Sequence, residues 1–337
     1  MGKVQQLNIE TAFPSVVRAR EVLEIKKVER AQMYDETITE ETLNDVKDKI
    51  NGVGIWTPHT PFNRLKEKEL AVVDNMFRGY QKSGNIIEIP QEYQNELTKE
   101  VDLLRVNNFA NKKILTPHEF RSHADRSAEL LLHYAQMKLD LNPDETMIAV
   151  PWRSALVLAY VAKKLGFKHF MHINVRRDEH NLKGNTTFVE EPNMSKNIKR
   201  IKGIIVDPML ATGGTMLETI ARMKDIGILE RDIILMSIVT APEGILKVLS
   251  KYPEVKILGA SHDDHLNSKG YIVGGYDPMA HLISYDDIIE HLERCLGDYG
   301  DQYFEGLGME FITELREMGM LTDMAYTQLV ARIASHN

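Results

Sequence analysis

Residues 204–215 constrain the fold of this chain more than any other stretch. Ile204, Ile205 and Val206 read as a buried strand with Asp207 at its end, and Pro208, Met209, Leu210, Ala211, Thr212, Gly213, Gly214 and Thr215 carry the chain through a turn into a helix. Thr215 and Glu218 have the spacing of a capping box. Met216, Leu217, Ile220 and Met223 repeat at helical intervals behind it, and Gly227 stands where such a helix ends. A turn that opens a helix offers unpaired backbone N–H groups and the positive end of the helix dipole, both of which favour an anion, and glycine lets the backbone approach it closely. Neither G-x-x-x-x-G-K-[ST] nor G-x-G-x-x-G occurs in this stretch, which excludes the two commonest nucleotide cradles here.

Alternation of strand and helix continues on both sides. Residues 147–150, 170–175, 232–240 and 256–260 read as strands, and 155–164 and 242–250 as helices, the first ended by Gly166 and the second begun by Pro242. This pattern predicts an α/β fold with a doubly wound parallel sheet, whose ligand lies at the C-terminal ends of the strands. Arg153, Arg177 and Asp207 each follow a strand, so they are expected to converge on one edge. Upstream, the spacing predicts an amphipathic helix over 117–138 with Phe120, Ala124, Leu131 and Ala135 inward.

The run D-P-M-L-A-T-G-G at 207–214 resembles the phosphoribosyl diphosphate (PRPP) loop of the uracil phosphoribosyltransferases, a branch of the type I phosphoribosyltransferase superfamily. A second signature of that family, D-x-x-L-N-x-x-G-Y-I, fits residues 263–272. The resemblance covers about residues 97–306, leaving a mainly helical extension at 1–96 and a helical one at 307–337. It implies that Thr212, Gly213, Gly214 and Thr215 hold the 5′-phosphate, with Ala211 a PRPP-binding position beside them, and that Asp207 holds the ribose hydroxyls. Arg153 stands in the place of the family's P-I-L-R-A-G arginine and Arg177 in that of its Y-R-D-E-E-T arginine, both reaching the pyrophosphate, with 179–197 as a mobile hood over PRPP. Ile272, Gly297, Asp298 and Tyr299 are the implied base-reading positions, and Asp298 also serves PRPP or the water shell of a magnesium ion. Asp207, Arg177 and Asp298 form the implied catalytic set. Mg²⁺ is expected to be carried on pyrophosphate and water with no direct side-chain ligand.

Departures from the family pattern fall at the pyrophosphate turn and, more heavily, on the base side. Ser154 and Ala155 stand where the family has Ala and Gly, about 20 residues (276–295) are inserted after Gly275 with a helix expected over 285–294 capped by Ser284, and the family's Ala and Arg become Tyr299 and Gln302. Two readings therefore stand beside uracil phosphoribosyl transfer: transfer to another base, and a PRPP-sensing regulator that kept the fold. A net charge of −8 and the absence of a basic stripe count against nucleic-acid binding. No apolar run suits a membrane span or signal peptide, and a cytoplasmic homodimer or higher homo-oligomer is expected. Cys295 is the only cysteine, which excludes an internal disulfide and a thiolate metal cluster.

The flanks carry no catalytic motif. Helices are expected around 14–30 and 39–49, the second capped by Thr39, followed by a turn-rich linker at 56–62, and His59 has no partner at metal-ligand spacing. His265 is expected at the surface. In the C-terminal extension Met309, Phe311, Ile312, Leu315 and Met318 are expected on one packing face.

Overall fold

The computed structural model describes residues 29–30, 39–52, 67–106, 115–152, 155–177, 184–190, 201–263, 265–266, 272–273 and 308–334. Its centre is a sheet of β1 (Thr146–Pro151), β2 (His169–Arg177), β3 (Gly184–Glu190), β4 (Lys202–Val206), β5 (Met209–Leu210), β6 (Ile233–Thr240) and β7 (Lys256–His262). Across the sheet the order is β3-β2-β1-β4-β6-β7. The short β5 runs on beyond β4 along the same edge of β6, pairing Met209 with Val239 and Leu210 with Thr240. All pairings are parallel except β2 with β3.

Strands buried on both faces read as unbroken apolar runs, and here alternate residues divide between two cores. Met147 and Ala149 of β1, Ile205 of β4 and Leu235 of β6 pack into one core with α6 (Gly214–Asp225) and α7 (Pro242–Lys251). Ile148 and Val150, Ile204 and Val206, and Met236 face the other, beneath α3 (Gln91–Val106), α4 (Pro117–Lys138), α5 (Leu156–Lys164) and α8 (Gly308–Glu317). Helices on both faces make the sheet doubly wound, as the alternation in sequence predicts. Phe120, Ala124, Leu131 and Ala135 of α4 are all buried, and Thr116 and Glu119 form a reciprocal capping box at its start.

Among the described residues, α1 (Glu40–Gly52) and α2 (Glu67–Lys82) precede this core. α1 begins as expected: the Thr39 hydroxyl accepts the Thr42 N–H at 3.2 Å. α2 was not legible in the sequence, and neither was the start of α3. The α1–α2 pair buries Val46, Ile50, Leu70, Val72 and Val73 around Leu246 of α7. Behind α2 the chain joins the sheet, for Ile86 bridges Ile257 in parallel, the Ile87 N–H donates to Ile257 O at 2.8 Å and the Ile257 N–H to Asn85 O at 2.7 Å. The expected features at 14–28, the linker at 56–62 and His59 lie outside the described residues.

In the C-terminal extension α8 is followed by α9 (Asp323–Ala334). Ile312 and Leu315 are buried as expected, but Met309 is 41% exposed, so the packing face is narrower than the apolar spacing suggests. Part of the expected hood is a strand. Residues 184–190 pair antiparallel with β2, Arg177 opposite Gly184, because Thr186, Thr187, Phe188 and Val189 favour extended backbone.

Candidate functional site

Strand order places the site. The chain leaves β1 through α5, on one face, to reach β2, and it leaves β4 through α6, on the other face, to reach β6. The order of strands therefore reverses between β1 and β4, and in open parallel sheets the crevice beyond such a reversal is where ligands sit. Register brings the ends together: Ala149 lies opposite Ile205, and Pro151 opposite Ile173. Asp207, two residues past Ile205, and the chain beyond Pro151 thus flank one crevice, with the end of β2 beside them. Arg177 is the last residue of β2. Arg153, Gly297, Asp298, Tyr299 and the 276–295 insert lie outside the described residues.

The loop after β4 is held along its length. The Asp207 N–H donates to Met236 O at 3.0 Å, the Val239 N–H to Pro208 O at 3.0 Å and the Ala241 N–H to Leu210 O at 2.8 Å, so the chain stays laddered to β6 as far as Leu210. Ala211 and Thr212 then turn it into α6. Gly213 is the N-cap, at φ 76° and ψ −2°, a left-handed conformation that suits glycine. The expected capping box at Thr215 does not form. Gly213 starts the helix two residues earlier, so Thr215 already lies inside the first turn, and no side chain caps α6. Its opening amides, from Gly214 onward, are left to a ligand or water. Met216, Ile220 and Met223 are buried as the spacing predicts, and Gly227 ends the turn after the helix at φ 98°.

Two neighbouring elements complete the edge. The pair β8 (His265–Leu266) and β9 (Ile272–Val273) forms a small antiparallel hairpin, with Leu266 opposite Ile272. Ile272 is buried in the core that also holds Val206. His265 is 4% exposed, against the surface position expected for it, because its strand is covered by the first turn of α7. Sequence reasoning missed Glu243 and Gly244 in that turn. Glu243 is wholly buried, and its Oε1 accepts the Leu266 N–H at 2.9 Å. A Cβ on Gly244 would stand 2.2 Å from Ala211 O. The signal was an acid followed by glycine in an otherwise apolar helix start, Ala241 to Leu246.

At the β1 end a second set of buried groups links the crevice to the C-terminal helices. The Trp152 indole donates to His172 Nδ1 at 3.0 Å, and His172 Nε2, which must then carry the proton, donates to Met320 O at 2.7 Å. Burial pushes the His172 imidazole down to about 4, the Met320 carbonyl opposing the shift only in part. The residue before Arg153 is thereby fixed by neutral hydrogen bonds.

A family profile described as uracil phosphoribosyltransferase matches residues 153–278. A uracil phosphoribosyltransferase of Limosilactobacillus reuteri is 39% identical over 143 residues, 42% of this chain and 54% of that protein. This chain thus spans about half the length of that relative and of one from Clostridium botulinum, 43% identical over 104 residues and 47% of its length. A uracil phosphoribosyltransferase of Lacticaseibacillus paracasei is 32% identical over 206 residues, 55% of this chain and 86% of that protein. In structure, the AQ2163 protein of Aquifex aeolicus has 21% identity and a TM-score of 0.48, covering 59% of this chain and 98% of that one. With a relative matched over most of its length, and with the loop of Asp207 to Thr215 at the switch point of its sheet, this chain belongs to the uracil phosphoribosyltransferase family.

Proposed function

We propose that this chain transfers the 5-phosphoribosyl group of PRPP to uracil, giving uridine monophosphate and pyrophosphate, as a cytoplasmic enzyme of pyrimidine salvage. The observation that carries the reading is the loop 207–215: a carboxylate at a strand end, a left-handed glycine, and an α6 start that no side chain caps, all at the strand-order reversal. In the reaction the bond from ribose C1 to a pyrophosphate oxygen breaks, its electron pair leaving with pyrophosphate, while a base nitrogen bonds to C1 and gives its proton to solvent. Positive charge gathers on the ribose in between. Holding the leaving group and the nitrogen in line with C1, and stabilising charge on the leaving oxygens, is the work such a site can do.

The parts are divided among residues of the described loop and strand ends and residues assigned by the family pattern alone. Backbone N–H groups of Gly213, Gly214 and Thr215, with the Thr212 and Thr215 hydroxyls, hold the 5′-phosphate. Asp207 accepts the ribose hydroxyls, and Arg177, with Arg153, takes the pyrophosphate. Asp298 serves the ribose or the metal's water, and backbone at Ile272, Gly297, Asp298 and Tyr299 reads the base. Magnesium, when bound, would help to neutralise the charge on the leaving group. Asp207 brings a carboxylate to this edge, and a carboxylate suits an ion that arrives on its substrate and keeps much of its water.

Tyr299 and the 276–295 insert favour a second reading, transfer to a different heterocyclic base. Pyrophosphate release measured with PRPP and a panel of bases separates the two. Uracil-dependent release matched one to one by uridine monophosphate is the expected result. Release with another base only assigns the second reading, and PRPP binding without release for any base overturns both in favour of a PRPP-sensing regulator. No helix among the described residues is long and apolar enough to cross a membrane.

A further inference from the structure

The first turn of α7 touches both halves of the site. On one side, the Ala241 N–H donates to Leu210 O at 2.8 Å, and Gly244 lies so close to Ala211 O that a Cβ there would stand 2.2 Å away. A Cβ on Gly213 would in turn lie 3.0 Å from Gly244 O. This face of the turn is the backing of the phosphate loop. On the other side the Glu243 carboxylate, 0% exposed, accepts the Leu266 N–H at 2.9 Å. Leu266 is paired with Ile272 across the β8–β9 hairpin, which leads into the base-reading segment. A fully buried carboxylate is costly unless it is held by donors, and here it lies in a helix's first turn, where the dipole favours negative charge. The position is expensive to maintain, yet Glu243 is not on the crevice surface.

We infer that Glu243 is the positioning residue of the base half of the site: it fixes the β8–β9 hairpin relative to the phosphate loop, so that the turn 241–244 sets the distance between PRPP and the incoming base. The inference rests on the proposed phosphoribosyl transfer. Nitrogen-to-C1 alignment has a tolerance of a fraction of an ångström, and a hairpin free to shift on the sheet edge loses it. Glu243 acts through the Leu266 N–H and touches no reacting atom. What matters is the reach of its acceptor oxygen, more than its charge.

Three variants of the full chain separate these properties. Glu243→Gln keeps an oxygen at the same reach without charge, Glu243→Asp keeps the charge one methylene short, and Glu243→Ala removes the acceptor. Amide hydrogen exchange of peptides covering 265–273 reads the hairpin directly, independently of activity. Calorimetry with PRPP alone and initial rates against base concentration read the two halves of the site. Protection of 265–273 is expected to fall in the order wild type, Gln, Asp, Ala. The base KM is expected to rise about tenfold in Ala, the loss of one hydrogen bond. PRPP affinity should stay within about twofold of wild type, and Gln should restore most of the base KM. Equal protection of 265–273 in all variants, Asp ranking above Gln, or a loss of PRPP affinity equal to the loss of base affinity overturns the inference. If Ala unfolds, the Gln and Asp pair still decides. A wild type that turns over no base defeats the proposed function instead, while the exchange ranking continues to test the anchor.

Discussion

Replacing Gly244 by alanine tests whether helix α7 backs the phosphate loop. The added Cβ would lie 2.2 Å from Ala211 O, 3.0 Å from Ala211 C and 3.2 Å from the Leu210 side chain. Ordinary contact begins near 3.4 Å, so one backbone must give way by about an ångström, and both candidates are tied down. The loop is hydrogen-bonded to β6 through Leu210, and the helix start carries the Glu243 bond to Leu266. Overpacking of this kind costs about 1–3 kcal/mol. Alanine in a helix recovers about 1 kcal/mol of that relative to glycine, leaving a net loss of roughly 0–2 kcal/mol in fold stability. Gly79 supplies the control. It is exposed within α2 and has nothing within 4 Å of its added Cβ, so Gly79→Ala should stabilise by about 0.5–1 kcal/mol. Urea denaturation of both variants measures the stability arm, and calorimetry the PRPP arm, where a displaced Ala211 should lower affinity about 10- to 100-fold. Should Gly244→Ala be stabilised as much as Gly79→Ala and bind PRPP like wild type, the turn does not brace the loop and the argument fails.

Other perturbations probe separate parts of the site. Asp207→Asn should fold normally and lose turnover by about 5- to 10-fold per ribose bond, since charge-assisted bonds exceed neutral ones by about 1–1.5 kcal/mol; wild-type rates at saturating PRPP would remove Asp207 from the ribose site. His172, at 6.5 when unfolded and about 4 when folded, binds fewer protons in the native state between those values. Its contribution is therefore full above pH 6.5 and declines as pH falls towards 4, by about 3 kcal/mol in all. His172→Gln should flatten that part of the stability profile measured by urea titration at several pH values, and an unchanged slope would place the acid sensitivity elsewhere. Tyr299→Ala, assayed with uracil and larger heterocycles, should weaken base binding if the phenol stacks on the base, or raise uracil turnover if it occludes the pocket; identical kinetics would mean that Tyr299 lies off the base site.

Sequence alone made the parallel sheet and the phosphate loop legible, because buried strands and helix stops leave strong local marks. β4 and β6 carry apolar β-branched runs, β1, β2 and β7 carry shorter apolar stretches, and α4 has proline at its first turn with regular apolar spacing. Local marks also mislead. Thr116 with Glu119 and Thr215 with Glu218 show the same capping pattern, yet only the first forms, since Gly213 can adopt a left-handed conformation and open its helix sooner. α2 escaped notice because Val72, Val73 and Gly79 lower its intrinsic helix preference, and its burial against Leu246 is decided by distant chain. The burial of His265 and Glu243 is likewise tertiary. Each is covered by an element more than 20 residues away, so spacing within its own segment says nothing about its surroundings.

The bridge between Ile86 and Ile257 bears on solubility. β7 pairs with β6 on one side, and on the other its backbone is engaged by residues 85–87, with the Asn85 amide side chain donating to Pro253 O at 2.7 Å and Val255 O at 3.2 Å;. An open parallel edge of this composition, Lys256 to His262 with Ile257 and Leu258 near its start, is a template for strand addition by another chain. The segment ahead of α3 acts as a guard on that template. A shortened chain beginning at residue 97 would keep every residue assigned to the site but lose the guard and uncover Leu246 of α7, and its expected failure mode would be aggregation through β7.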